Sequence, residues 1–236
     1  MALILSIETA TSVCSVALHR DGQLLSVKEI DSDKSHSTML LQFVADVLTE
    51  SGENKKHLDA IAVSEGPGSY TGLRIGLSTA KGLCFALEKP LIAINTLDAM
   101  AFLAFDGGKE NTLYAPMIDA RRMEVYTALY NSNYNRVLEP CAKVVDENSF
   151  AKELAENSVV FLGNGAEKCK EVLNSDNAYF IDGLKPSAVT IGQLAFKKYT
   201  AKQFEDVAYF EPNYLKEFYT PPPKKNQMLK NLVSKS

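Results

Sequence analysis

Leu3-Ile4-Leu5-Ser6-Ile7-Glu8-Thr9-Ala10-Thr11-Ser12-Val13-Cys14-Ser15-Val16-Ala17-Leu18-His19 reads as two β-strands, residues 3–7 and 13–19, around a short polar turn. Asp21-Gly22 follows as a hairpin signal, because glycine takes positive φ without strain, and residues 24–30 return as a third strand. A helix capped by Ser35 or Ser37 then runs to about residue 51, with Leu40, Leu41, Val44, Val47 and Leu48 as its core face and Gly52 as its stop. Residues 58–64 form a fourth strand, 70–88 a helix and 91–95 a fifth strand, and a further helix starts near Thr96 or Asp98. The order is β-β-β-α-β-α-β-α.

The second half repeats this plan. Residues 113–118 form an apolar strand ending in Asp119, as 3–7 ends in Glu8. Strands at 125–130 and 136–145 flank a turn at 131–135, and helical segments lead to a short strand at 159–162, Gly163-Asn164-Gly165 and another helix. The repetition is of architecture, not of residues. It predicts an α/β protein of the duplicated ribonuclease-H-like type found in actin, Hsp70 and sugar kinases, with lobes at 1–108 and 109–219. The expected junction lies near residues 105–111, around the polar Asp106-Gly107-Gly108-Lys109, and the proline-led stretch 220–236 is expected to be an extended or disordered tail.

The chain has 236 residues, with 25 basic against 29 acidic, for a net charge of −4. That excludes a broad basic surface gripping RNA by its phosphates, and leaves room for a local basic patch. Cys14, Cys84, Cys141 and Cys169 form no C-x-x-C, which favours a reducing cytoplasm. The first residues open directly into a strand with no leader pattern, and no apolar run approaches the roughly 20 residues that span a bilayer.

Catalytic patterns are missing. His19, His36 and His57 are scattered, there is no H-E-x-x-H, and Pro67 breaks the only approach to G-x-S-x-G, around Ser69. Neither a catalytic set nor a metal site is expected. Gly66-Pro67-Gly68-Ser69-Tyr70-Thr71-Gly72 follows a strand and opens a helix, so Gly68 and Ser69 are candidate anion contacts. The reading that the pattern favours, however, is a tight strand-to-helix turn with Ser69 or Thr71 as N-cap. In the kinase-like ATPases, the strand–turn–strand of each lobe cradles phosphate with glycine backbone beside a magnesium-binding acid. Here the turns after Glu8 (Thr9, Ala10) and Asp119 (Arg121, Arg122) contain no glycine. Glu8, Thr9, Asp119 and Arg121 are therefore candidates only for a vestigial nucleotide or anion contact.

The helix after Gly72 carries Gly72, Gly76 and Ala80 at four-residue spacing, a face on which another backbone comes close. Ile75, Thr79, Gly82, Leu83 and Ala86 make a second smooth face. On the preceding helix His36, Met39 and Phe43 lie off the main core face. These positions mark either a subunit interface or unusually tight internal packing.

Ile4 to Thr11 with Cys14 to Leu18, Gly66 to Gly76 with Ala80 to Leu83, and Asp119-Ala120-Arg121-Arg122 with Glu124-Val125-Tyr126 together resemble the TsaB (YeaZ-type) proteins. His36-Ser37, Gly163-Asn164-Gly165 and Pro212-Asn213-Tyr214-Leu215 extend the resemblance over almost the whole chain. Glu8 stands where that family more often has Asp.

The resemblance implies the actin/Hsp70-like (ASKHA) fold. It also implies a non-catalytic role in placing threonylcarbamoyl on N6 of the tRNA adenosine 3′ of the anticodon. The implied partners are a TsaD-type catalytic subunit, met through the two helices of the first lobe, a TsaE-type ATPase, and a second copy of the chain when alone. Contact with tRNA is implied only indirectly, ATP is used by the wider complex rather than held tightly here, and no membrane is involved. A small-molecule kinase or ATPase of the same fold is the alternative.

Overall fold

Alternation along the first strand decides the layering. In the computed structural model, which describes residues 1–32, 36–105 and 109–216, Leu3, Leu5 and Ile7 of β1 (Leu3–Glu8) share one apolar face with Cys14, Val16 and Leu18 of β2 (Val13–Arg20). Ile4 points to the opposite face. β3 (Gln23–Asp31) and α1 (His36–Glu50) follow, then β4 (Ala60–Gly66), α2 (Tyr70–Leu87), β5 (Leu91–Asn95) and α3 (Thr96–Ala104). The second half comprises β6 (Thr112–Asp119), β7 (Glu124–Tyr130), β8 (Arg136–Val144), α4 (Ala151–Glu156), β9 (Ser158–Leu162), β10 (Ala178–Ile181) and α5 (Ala188–Thr200).

The strands make two five-stranded sheets of the same topology, β3-β2-β1-β4-β5 and β8-β7-β6-β9-β10. In the first, β1 is antiparallel to β2 and parallel to β4; in the second, β6 is antiparallel to β7 and parallel to β9. β1 therefore corresponds to β6, and Glu8 to Asp119. This is the duplicated actin/Hsp70-like fold. α1 and α2 cover the outer face of the first sheet, and Phe150, Leu154 and Leu173 cover that of the second.

α3 lies between the sheets, and α5 packs beside it on the inner face of the first sheet. Ala99 of α3, with Ile191, Leu194 and Ala195 of α5, buries Ile4, Ala60, Ala62, Ile92 and Ile94. Leu97, Met100 and Ala101 on the other side of α3 bury Tyr114, Ile118 and Leu162. Residues 188–200 were expected within a second lobe spanning 109–219, yet they pack on β1 and β2 of the first sheet. The small and branched residues on that inner face, Ile4, Ala60 and Ala62, need a cover, and α5 provides it.

Other departures have local causes. β10 was not foreseen: it is a four-residue edge strand whose Tyr179 and Ile181 stay exposed, so it carries no apolar alternation. The helix expected after Gly165 is a single 3₁₀ turn, Glu167–Cys169. Leu41, expected in the core, is 65 % exposed, and Phe43 is buried in its place. Ser35, the junction at 106–108 and the tail at 220–236 lie outside the described residues. Among the described residues no helix is long and apolar enough to cross a membrane.

The close seat of α5 yields a direct test. A Cβ on Gly192 would sit 2.1 Å from Nδ1 of the buried His19. Gly192→Ala is expected to destabilise the chain by about 1–3 kcal/mol through overpacking. Gly82→Ala, where a Cβ meets only open space, should instead stabilise by about 0.5–1 kcal/mol. Denaturant midpoints for both variants check the pair, and equal shifts would contradict the packing described.

Candidate functional site

The glycine-rich segment after β4 is seated on the β1–β2 turn. A Cβ on Gly68 would stand 2.2 Å from the Ala10 carbonyl oxygen, one on Gly72 2.1 Å from the Thr9 carbonyl oxygen, and one on Gly76 2.2 Å from Thr9 Oγ1. The contact is also hydrogen-bonded: Ser69 N donates to the Ala10 oxygen at 2.6 Å, and Thr9 Oγ1 donates to the Gly72 oxygen at 2.8 Å. Ser69 caps α2, its hydroxyl accepting from Gly72 N at 3.3 Å.

The second lobe repeats the device. Gly165 N donates to the Met117 oxygen at 3.0 Å, and a Cβ there would meet Ile118 and Asp119 backbone at 2.9 and 3.0 Å. Asn164 Oδ1 accepts from Asp119 N at 3.1 Å. Lys168, just beyond, reaches back to the β6–β7 turn. Its ammonium donates to Asp119 Oδ1 and, at 2.7 Å each, to the Arg122 and Glu124 carbonyl oxygens. All three of its donors are engaged. The turn holds Arg121 and Arg122 at φ +71 and +51, a left-handed conformation that costs a side-chain-bearing residue about 1–2 kcal/mol.

The two turns and the two glycine loops face each other across a cleft of about 780 Å³ lined by Ala10, Ser12, Ser69, Asp119, Arg121 and Asn164 among others. The C-terminal strap closes one side: Asn213 N donates to the Glu65 oxygen, the Tyr214 ring lies 4.9 Å from that of Tyr70, and Lys216 pairs with Glu124. The corresponding acids differ. Glu8 is fully buried, its Oε1 accepting from Ala10 N and from Ser64 Oγ while its Oε2 has no partner. Burial pushes its carboxyl up from 4.5 to about 7. Asp119 instead lies at the surface against an ammonium. Among the described residues no three His, Cys, Asp or Glu side chains gather as a metal site would require.

The expected interface positions divide. Gly72 and Gly76 are buried against the chain's own turn, Gly72 on the Thr9 carbonyl and Gly76 on the Thr9 hydroxyl. His36 is also buried, its Nε2 3.2 Å from the Val13 oxygen, and Phe43 belongs to the outer core. Met39, Ile75, Thr79 and Leu83 are half-buried along the rim of the α1–α2 surface. Sequence reasoning missed the two large apolar side chains that stand clear of it, Leu41 at 65 % and Phe85 at 85 % exposure. Phe85 follows the core residue Cys84, and its place outside the apolar stripe was the available signal. Nothing in the spacing pointed to Lys168, 49 residues from Asp119.

Residues 29–225 match the family model described as TsaD, tRNA N6-adenosine threonylcarbamoyltransferase. The chain is 34 % identical over 225 residues to the tRNA threonylcarbamoyladenosine biosynthesis protein TsaB of Escherichia coli, covering 90 % of this chain and 94 % of that one. It is 31 % identical to the protein of the same name from Bacillus subtilis, covering 90 % and 93 %. A crystal structure from Pseudomonas aeruginosa, described as an uncharacterized protein with similarity to peptidase YEAZ, superposes with a TM-score of 0.81 at 28 % identity, over 92 % of this chain and all of that one.

The raised carboxyl of Glu8 has a pH signature. Between pH 4.5 and about 7 the folded state keeps a proton that the unfolded chain releases. Its contribution is whole below 4.5 and lost as pH rises through 7, on the order of 3 kcal/mol in all. Glu8→Gln removes this titration. The unfolding free energy of the variant relative to wild type should climb from about pH 5 to about pH 8. A difference that stays constant across that range would contradict the burial of an ionisable carboxyl.

Proposed function

The chain belongs to the family described by the tRNA N6-adenosine threonylcarbamoyltransferase model, as a TsaB/YeaZ-type member, and within tRNA threonylcarbamoyladenosine biosynthesis we propose that it is a non-catalytic partner subunit. The observation that carries this reading is the filling of both turns from within. Gly68 and Gly72 lie against the Ala10 and Thr9 carbonyls, and an ammonium holds Asp119. A magnesium nucleotide bound in the kinase manner does not fit. The turn after Glu8 offers no glycine backbone to a phosphate and has the α2 loop seated on its carbonyls, and the acid that would hold the metal-bound water carries a lysine in the second lobe. No nucleotide is held tightly here, and the ATP of the pathway is used elsewhere in the complex.

The partner is a TsaD-type catalytic subunit, docked on the outward faces of α1 and α2, and a TsaE-type ATPase joins the pair. A second copy of the chain takes the same surface when no partner is present. Leu41 of α1 and Phe85 of α2 are exposed, and Gly82, where a Cβ would meet nothing within 4 Å, leaves open space on α2. A glycine in mid-helix costs about 1 kcal/mol against alanine, a cost that close approach of a partner helix offsets. Gly76, buried under Thr9, is the wrong position to test the interface, since any side chain there disrupts the monomer.

Two measurements check the reading. Depletion of the chain should lower threonylcarbamoyladenosine in bulk tRNA nucleosides measured by mass spectrometry, and an unchanged level contradicts the pathway. Gly82→Arg and Phe85→Glu should melt no lower than wild type and weaken co-elution with a TsaD-type partner by at least about 30-fold, the loss expected at an interface hot spot. Undiminished co-elution of both variants would place the interface elsewhere.

A further inference from the structure

The β6–β7 turn ends in two arginines with no task inside the chain. On this wall of the cleft the acids are already matched: Asp119 pairs with Lys168, and Glu124 with Lys216. Arg121 and Arg122 remain. Both are exposed, and neither guanidinium has a hydrogen bond or ion pair among the described residues. Two anions therefore stand against four cations, and the surplus is concentrated in two adjacent side chains. Arg121 lines the cleft itself, beside Asn164 and Lys216.

The turn is held in a conformation that its residues resist. Both arginines sit at positive φ, where glycine or asparagine would be relaxed. Lys168 fixes the shape by binding the Asp119 carboxylate and the Arg122 and Glu124 carbonyls at once. Strain that the surroundings over-determine collects at working sites. Arginine is also the side chain whose planar fork matches a phosphate in two directions. The sequence after Lys216 keeps the same sign, with Lys224, Lys225, Lys230 and Lys235 against Glu217 alone. The rest of the chain is acidic, so the positive charge is local rather than a property of the whole surface.

We propose that the Arg121-Arg122 turn is a contact for RNA phosphates, through which this subunit touches the tRNA itself. The proposal rests on the pathway assigned above, and it departs from the expectation that tRNA is met only through the partner. The turn reads no base. It adds one or two phosphate contacts that fix where the tRNA lies along the cleft edge.

The test is a titration of fluorescently labelled tRNA with the full-length chain, alone and in the complex with which it co-purifies, from about 50 to 200 mM salt. Arg121→Asn/Arg122→Asn removes both charges in a residue type that accepts the left-handed turn, and its melting temperature should match wild type. The expected result is at least about 10-fold weaker binding at the lowest salt and a slope of log K against log salt shallower by about 2. Arg121→Lys/Arg122→Lys should keep the wild-type slope. Absence of tRNA binding by wild type in both forms, or an Asn variant with unchanged affinity and slope, overturns the proposal. Loss of co-elution with the partner protein at an unchanged salt slope also overturns it, by making the turn a protein contact. These outcomes are independent of the nucleoside measurement: normal threonylcarbamoyladenosine after depletion would sink the pathway whatever the salt slope.

Discussion

Each lobe depends on one close approach: the loop after the strand parallel to the lobe's first strand lies directly on the turn of its first hairpin. In the first lobe a Cβ at Gly68, Gly72 or Gly76 would come within 2.2 Å of Ala10 or Thr9 atoms. In the second, Gly165 takes the same place against Ile118 and Asp119. A side chain at Gly68, Gly72 or Gly165 would press on backbone, and one at Gly76 on the Thr9 hydroxyl. The contact sets where α2 starts, how it lies on β4, and how both walls of the cleft are shaped. It also seats the α2 loop on the carbonyls of the first turn, beside the cleft that Ala10, Ser12 and Ser69 line.

The two corresponding acids sit in opposite environments. Glu8 is buried, bonded to Ala10 N and Ser64 Oγ, and driven towards its neutral form. Asp119 stays near the surface and is balanced by Lys168. Neither presents a free carboxylate to the cleft. Burial in one lobe and an internal ammonium in the other reach the same end by different physics.

Much of this was legible because it is local. The alternation in residues 3–19, the Asp21-Gly22 turn and the repeated order of elements state the duplicated α/β plan without any long-range knowledge. The four-residue spacing of Gly72, Gly76 and Ala80 announces that a backbone comes close, but spacing defines a helix face and not what occupies it. The occupant is Thr9, more than sixty residues earlier, as the Thr9–Gly72 hydrogen bond shows. Periodicity likewise placed Leu41 inside and left Phe43 aside, since adjacent apolar residues on a helix do not reveal which one the sheet will cover. β10 lacks alternation, α5 crosses to the other sheet, and Lys168 acts on a turn far behind it. Each of these depends on contacts between segments distant in sequence.

The claim that both turns are filled from within is tested most directly by following backbone amide resonances of the isolated chain during titration with magnesium–ATP. The amides of Thr9 to Ser12 and of Asp119 to Arg122 should keep their positions up to millimolar nucleotide. Saturable shifts confined to those two turns would contradict the account, because they would show that the cleft opens to a phosphate that the glycine contacts and Lys168 are held to exclude.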